Sequence, residues 1–217
     1  AFAGNGMLGS SGDGGPAIDA SFNSPGAMAF DSKGNLYVAD TGNHRVRRIS
    51  PDGIITTVGG NGNDLMAGDG GPAIEASLYL PHGVAIDASD NLLIADTGNF
   101  RVRRVDTRTG IITTIAGSGR YGSTGDGQPA IQAAFRAPYG LATDQFGAIY
   151  VVDGDDHRVR RIDRNGLIWA FAGDGAAGEG GDGGLATQAQ LEYPSYITCD
   201  RDGNLYISDS GNHRIRR

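Results

Sequence analysis

The chain has 217 residues, enough to bury a core of its own, and a formal net charge of −7. Binding to a phosphate backbone needs clustered cations, so this charge argues against a nucleic acid partner. No apolar run approaches the ~20 residues of a membrane-spanning helix, so no membrane span is expected. The single cysteine, Cys199, cannot form an internal disulfide and is interpreted as a small core residue.

One ten-residue string recurs four times. It reads ADTGNHRVRR from Ala39, ADTGNFRVRR from Ala95, VDGDDHRVRR from Val152 and SDSGNHRIRR from Ser208. Its aspartates are separated by 56, 57 and 56 residues, at Asp40, Asp96, Asp153 and Asp209. A catalytic site is rarely copied at even spacing within one chain, so we attribute the string to a structural repeat.

Within the copy that begins at Pro81, four short β-rich runs alternate with turn residues. They lie at residues 83–86, 92–95, 100–105 and 111–116. Four such strands form an antiparallel meander, which is the blade of a β-propeller. The sequence therefore predicts an all-β fold, a β-propeller of four-stranded antiparallel blades with four repeats in this chain.

We predict one propeller domain over residues 1–217. Its parts are the outer strand and loop of a split blade at 1–24, repeats at 25–80, 81–137 and 138–193, and an incomplete repeat at 194–217. The opening letters AFAG match residues 170–173, which end a fourth strand, so residues 1–3 are expected in an outer strand. Three arrangements stay open: a closed four-bladed ring, strand-swapped self-assembly, or four blades of a six-bladed parent.

A long glycine-rich connection follows each fourth strand and contains Gly-Asp-Gly. Its aspartates are Asp13, Asp69, Asp126 and Asp182. One carboxylate per loop supplies too few oxygens for calcium, so we interpret these residues as parts of a turn or helix start and predict no metal. A proline then begins one or two helical turns in most copies.

The repeated string, the following G.I.T..G.G pattern and GDGGPA..A.L..P together resemble the NHL repeat over essentially the whole chain. The resemblance implies a β-propeller, usually six-bladed, that serves as a binding or scaffolding module; a few related propellers are enzymes. The third copy departs from the pattern at one turn, where Gly154, Asp155 and Asp156 replace Thr41, Gly42 and Asn43 of the first copy.

Within the string we assign structural roles. Asp40 and Asn43 are expected to hydrogen-bond their own backbone in a tight turn, and Gly42 to permit positive φ. The histidine becomes Phe100 in the second copy, so His44 is expected to fill space. The recurring arginines predict ion pairs with the repeat aspartates rather than a basic surface. The expected pairs join Arg47, Arg103, Arg160 and Arg216 to Asp40, Asp96, Asp153 and Asp209.

Alternate connections of a meander lie on the same face, so the long loops and the DTGNHR turns share one face. Long loops on a rigid scaffold are common binding sites. Residues that follow the repeat proline vary between copies and should border a central channel. Together with the atypical third turn they form our candidate ligand surface, which consists of His82, Tyr139, Tyr196, Asp155 and Asp156.

We therefore predict a non-catalytic binding or scaffold module that presents its long-loop face to a protein, peptide or glycan, in an extracellular or periplasmic location. The alternative is a propeller enzyme resembling metal-dependent lactonases or lyases, with its site at the channel mouth. The chain has only three glutamates and no Ser-His-Asp or Cys-His arrangement that the repeat does not explain better. No catalytic residue, metal or cofactor is predicted, although a stoichiometric metal ion lost on mutating His82 would favour the enzyme.

Overall fold

The computed structural model describes residues 1–217 and contains fifteen strands in four antiparallel sheets. The first sheet comprises β1 (Pro25–Phe30), β2 (Leu36–Asp40), β3 (Arg45–Ile49) and β4 (Ile55–Gly59). The second comprises β5 (Pro81–Ile86), β6 (Leu92–Asp96), β7 (Arg101–Val105) and β8 (Ile112–Ala116). The third comprises β9 (Pro138–Thr143), β10 (Ile149–Asp153), β11 (Arg158–Ile162) and β12 (Ile168–Ala172). The fourth comprises β13 (Pro194–Cys199), β14 (Leu205–Asp209) and β15 (Arg214–Arg216).

Each sheet is a meander in which consecutive strands pair, so the predicted all-β, propeller-type fold is confirmed. The second strands are almost continuously apolar because they are buried on both faces, and every residue of β2 and β6 is buried. The turns between first and second strands are closed by an aspartate, since Asp31 accepts hydrogen bonds from the backbone N–H groups of Lys33 and Asn35. No helix of the chain is long and apolar enough to cross a membrane.

The chain divides into two compact units. One comprises Ala1–Asn99 with Arg103–Thr113, and the other comprises Phe100–Val102 with Thr114–Arg217. In the first unit, Ala17 and Ala20 of a long connection pack into the core against Leu36 and Val38. In the second unit, Leu191 of another long connection joins a core of strand residues. The glycine-rich connections are therefore anchored to the sheets by buried side chains.

Each long connection contains a close contact that only glycine permits. Gly12 has a φ of +100°, and a Cβ added there would lie 2.6 Å from Ala20 Cα. The equivalent glycines at 68, 125 and 181 contact Ala76, Ala133 and Ala189 in the same way. After this contact the chain makes a single 3₁₀ turn in three copies, at Ala17–Asp19, Ala130–Gln132 and Ala186–Gln188. The helical turn predicted after the proline is thus short.

The third strand of each sheet carries a buried arginine, which links two aspartates in three of the four copies. Arg103 Nη1 lies 3.3 Å from Oδ2 of Asp96, which is buried at the end of β6. Arg103 Nη2 lies 2.8 Å from Oδ1 of Asp69, which is partly exposed in the Gly-Asp-Gly loop. Burial raises the pKa of Asp96 even though Arg103 opposes it, so this carboxylate depends on its partners to remain charged. The arginine joins the sheet to the loop, which sequence reasoning did not foresee.

The same bridge recurs in two other copies. Arg47 lies 3.3 Å from Asp40 and 2.8 Å from Asp13, and Arg216 lies 3.1 Å from Asp209 and 2.7 Å from Asp182. In the third copy Arg160 contacts only the loop carboxylate, Asp126, at 2.6 Å. It forms no ion pair with Asp153, contrary to the predicted pairing, and its buried Nε has no hydrogen-bond partner.

Two other expectations need correction. Residues 1–3 are not part of a strand in this structure, and Gly4 N–H donates to Ala17 O. In the DTGNHR turn the residue with a positive φ is His44, at 56°, and not Gly42. Gly42 is required because a Cβ there would lie 2.5 Å from the side chain of Asn23.

We predict that Arg103→Met lowers the free energy of unfolding by about 3–5 kcal/mol, because it leaves Asp96 buried without a compensating charge. Asp69→Asn removes only the partly exposed half of the bridge and should cost about 1 kcal/mol or less. Urea denaturation of both variants tests this. Equal losses would contradict the unequal roles of the two carboxylates.

Candidate functional site

The turn after each second strand and the long connection meet at the same end of a sheet. Asn43 Nδ2 donates to Gly9 O at 2.6 Å and to Asp40 Oδ2 at 2.8 Å. Asn212 makes the same two bonds in the fourth copy, to Gly178 O and to Asp209. Asp40 therefore accepts hydrogen bonds both from the Asn43 side chain of its own turn and from the backbone N–H of Asn23 in the long connection. In each unit, we call the surface formed by these turns and the glycine-rich connections the long-loop face.

On this face the third copy differs from the first in side-chain size at two positions: a glycine is replaced by a large residue, and a larger residue is replaced by glycine. In the first copy Gly26 faces Thr41, and the Thr41 hydroxyl donates to Pro81 O at 2.7 Å. In the third copy the corresponding residues are Tyr139 and Gly154. A Cβ on Gly154 would lie 2.5 Å from Tyr139 Cδ2, so the glycine accommodates the tyrosine ring. The atypical glycine is explained by its contact with Tyr139.

Asp155 replaces a glycine that the other copies need. At that glycine a side chain from the preceding connection lies over the turn; a Cβ on Gly98 would be 2.2 Å from Tyr79, and one on Gly211 would be 2.5 Å from Glu192. In the third copy this covering residue is Arg136. Its guanidinium lies against the turn, with Nε 3.5 Å from Asp156 Oδ1 and Nη1 3.3 Å from the backbone oxygen of Asp155. Asp155 thus carries a side chain at the position where the other copies have none.

Asp156 is buried and engaged internally. Its carboxylate lies 2.8 Å from Arg158 Nη1 and accepts a hydrogen bond from the Ser123 hydroxyl at 2.5 Å. It stands where the other copies place an asparagine that donates to the repeat aspartate, and a carboxylate cannot make that bond. Asp156 therefore contributes charge beneath the surface rather than a contact for an external ligand.

Because Asp156 replaces the asparagine of the other copies, two buried carboxylates lie in one turn. Asp153 has its pKa raised to about 7, mainly by burial and further by the negative charge of Asp156. Backbone N–H groups of Arg136 and Ala137, the latter at 2.7 Å, oppose this shift. The charge of Arg160 also opposes the shift, although Arg160 forms its ion pair with Asp126 and not with Asp153.

This shift predicts an unusual pH dependence. The native state holds the Asp153 proton more tightly than the unfolded state, where the pKa is near 3.8, so this group favours folding more at about pH 5 than at about pH 8. Asp156→Asn removes the neighbouring charge and should make the gain in stability on acidification smaller than in the unmodified chain. Urea midpoints at both pH values measure the difference.

The matched control for that experiment is Asp202→Asn, which removes one negative charge from an exposed short turn. It should leave the pH dependence as in the unmodified chain. A dependence that is the same in Asp156→Asn and the control would show that the two buried carboxylates are not coupled.

The remaining predicted ligand residues fall in two places. Tyr139, Asp155 and Tyr196 lie in the second unit on its long-loop face, and Tyr196 is 43% exposed. Burial, and then the charge of Asp155, raise the pKa of the Tyr139 hydroxyl. His82 lies in the first unit, and burial lowers its pKa. Three of the five candidate ligand residues, Tyr139, Asp155 and Tyr196, therefore lie in the same unit on its long-loop face.

The histidines of the string do more than fill space. His44 Nδ1 accepts a hydrogen bond from Leu80 N–H at 3.1 Å, and its ring packs on Tyr79 with centroids 5.5 Å apart. His157 makes the same bond to Tyr193 N–H at 3.2 Å. Phe100 has no such acceptor and packs on Tyr121 instead. The histidine therefore holds the turn before the third strand against the end of the long connection that follows the fourth strand of the same sheet.

Sequence reasoning missed a group of apolar side chains at the tips of two long connections. These loop-tip residues, all in the first unit, are exposed by 50–83%: Met7, Leu8, Leu65 and Met66. Glycines surround them, so the loops cannot cover them. Their position in the sequence could have identified them, because large apolar residues are unexpected within glycine-rich polar loops. No group of three or more His, Cys, Asp or Glu side chains is placed to hold a metal ion.

Four-stranded meanders joined by anchored glycine-rich loops define a protein of the β-propeller class. A family model described as NHL repeat matches residues 22–49, and one described as Teneurin NHL domain matches residues 60–124 and 119–179. The chain belongs to the NHL-repeat family.

Curated relatives extend this comparison. Teneurin-1 of Homo sapiens is 29% identical over 94% of this chain and 8% of its own length. Protein SUPPRESSOR OF QUENCHING 1, chloroplastic, of Arabidopsis thaliana is 29% identical over 97% of this chain and 21% of its own length. The chain therefore spans less than a quarter of the length of either relative.

Solved structures with the same fold include proteins of different kinds. A structural genomics protein from Bacteroides thetaiotaomicron matches with a TM-score of 0.70 at 22% identity, over 89% of this chain and 46% of its own. An auxiliary nutrient binding protein from Bacteroides ovatus matches with a TM-score of 0.65 at 20% identity, over 90% of this chain and 48% of its own. Streptogramin B lyase matches with a TM-score of 0.59 at 14% identity, over 89% of this chain and 51% of its own. At these identities the comparison shows the fold alone.

Proposed function

We propose that this chain is a non-catalytic binding module that presents its long-loop face to a partner protein. The observation that carries the proposal is the exposure of the four loop-tip residues. Methionine and leucine side chains of this size favour an apolar partner surface, and methionine adapts its shape to the partner it meets. A protein or peptide supplies such a surface more readily than a glycan does.

The loops that hold these residues are fixed to the scaffold. Asp13 is bound to the buried Arg47 at 2.8 Å, and Asp69 is bound to Arg103 at 2.8 Å. Asn61 further ties its loop through Nδ2 to Glu75 O at 2.9 Å. A loop whose base is fixed loses less conformational entropy on binding, so contacts at its tip contribute more to affinity. The geometry thus favours recognition over a linker or spacer role.

The test is a screen of the purified chain against an array of extracellular protein domains, peptides and glycans, followed by affinity measurement. A variant carrying Met7→Ser, Leu8→Ser, Leu65→Ser and Met66→Ser should bind the protein partner at least about tenfold more weakly, because the apolar contacts are lost. Its urea midpoint should match that of the unmodified chain, since all four side chains are exposed.

The matched control removes large apolar side chains from the opposite end of the sheets. Phe30 is 65% exposed and Phe146 is 66% exposed, both next to short turns. Phe30→Ser with Phe146→Ser should leave the affinity unchanged. Equal weakening by both variants, or saturable binding to glycans alone, would count against a protein-binding long-loop face.

The proposal extends to location and assembly. We place the module in an extracellular or periplasmic setting, although one relative is named as chloroplastic, so the repeat type occurs in another compartment as well. Strand-swapped self-association is a further proposal, supported by the letters AFAG that residues 1–4 share with residues 170–173. Sedimentation of the purified chain over a concentration series measures it directly.

A further inference from the structure

We propose that Asp155, Tyr139 and Tyr196 form a subsite that binds an arginine side chain of the partner. The inference rests on the proposed binding function and names the chemistry of one contact on the long-loop face. Three observations support it: a carboxylate without an internal partner, an immobilised aromatic ring beside it and a second aromatic ring on the neighbouring first strand.

The first observation is the carboxylate of Asp155. It is half-buried, and its oxygens form neither a hydrogen bond nor an ion pair within the chain. The nearby cations are engaged elsewhere, because Arg158 and Arg136 both lie against Asp156, at 2.8 and 3.5 Å. Arg136 contacts only the backbone of Asp155, through Nη1 and its carbonyl oxygen at 3.3 Å. A partner cation would therefore meet an uncompensated charge.

The second observation is the fixed ring of Tyr139. Its contact with Gly154 is so close that any side chain at that position would displace it, and the ring is partly buried. Asp155 directly follows Gly154, against which this ring packs, so the carboxylate belongs to a residue beside the phenol. Burial, and then the charge of Asp155, raise the pKa of the Tyr139 hydroxyl. An aromatic face next to a carboxylate attracts a cation by both its quadrupole and the full charge.

The third observation is the proximity of β13 to β9 in the second unit. A Cβ on Gly140 would lie 2.8 Å from Tyr196 Cα, so the backbones approach closely just after Tyr139. Tyr196 is among the exposed aromatic residues of the chain. Guanidinium is planar and weakly hydrated, so it stacks on aromatic rings and pairs with a carboxylate at once, which an ammonium group does less well. The net charge of −7 further attracts a basic partner.

The subsite lies at the turn at which the third copy differs from the other three. Gly154, Asp155 and Asp156 replace the threonine or serine, the glycine and the asparagine of the other copies, whereas the positions of Arg136 and Tyr139 vary in every copy. The fold itself does not need Asp155, since the other copies have glycine there. A charged side chain that the turn does not require is available for a contact outside the chain.

The experiment is an NMR titration of the full, ¹⁵N-labelled chain with N-acetyl-arginine amide, and separately with the neutral isostere N-acetyl-citrulline amide. The arginine probe should cause saturable shifts at amides near Tyr139, Asp155 and Tyr196, and the citrulline probe should cause none. Asp155→Asn should weaken arginine binding about tenfold or more, since the full charge is lost. Asp155→Glu should retain most of it.

Asp202→Asn is the matched control and should bind the arginine probe like the unmodified chain. Equal shifts with both probes, or undiminished binding by Asp155→Asn, would overturn the subsite. The loop-tip variant separates the two proposals, because it should lose the protein partner while keeping the arginine shifts. Loss of the subsite alone would leave the loop-tip surface as the binding site.

Discussion

The structure depends on a buried arginine held between two carboxylates. The inner carboxylate, such as Asp96, lies at the end of a second strand, and the outer one, such as Asp69, lies in a glycine-rich loop. Burying a guanidinium is costly unless it is paired, so the arginine needs a carboxylate partner, and its ion pair with the loop aspartate fixes where the loop sits. The same side chain thus holds the sheet and orients the surface on which we place binding.

The part of this arrangement that recurs could be predicted from the sequence, because equivalent positions of the four repeats carry the same kinds of residue. Strand positions, the meander and the role of the repeat arginines follow from the period and from alternating turn residues. The outer partner of the arginine could not be predicted in this way. Asp69 and Arg103 are 34 residues apart, and only the folded chain shows that the Gly-Asp-Gly loop returns over the third strand.

The third copy shows how a repeat acquires individual features. The replacement of asparagine by Asp156 removes a donor to Asp153, and Arg136, Arg158 and Ser123 supply the compensating contacts. Comparison of the copies identified the turn as atypical, but not which of its residues is exposed. Asp155 and Asp156 are adjacent in sequence, yet the first lies near the surface while the second is buried, because a 3₁₀ turn places consecutive side chains in different directions.

The two ends of each arginine bridge respond differently to ionic strength. The inner carboxylate is shielded from solvent, whereas the outer one is open to it, with 41–75% of its side chain exposed. Dissolved ions screen exposed charges far more than buried ones. Rising salt therefore weakens the ionic part of the loop attachment while the sheets keep their internal pairs. The rigidity of the long-loop face thus depends in part on the ionic strength of the medium, whereas the buried alanines that also anchor its loops carry no charge to screen.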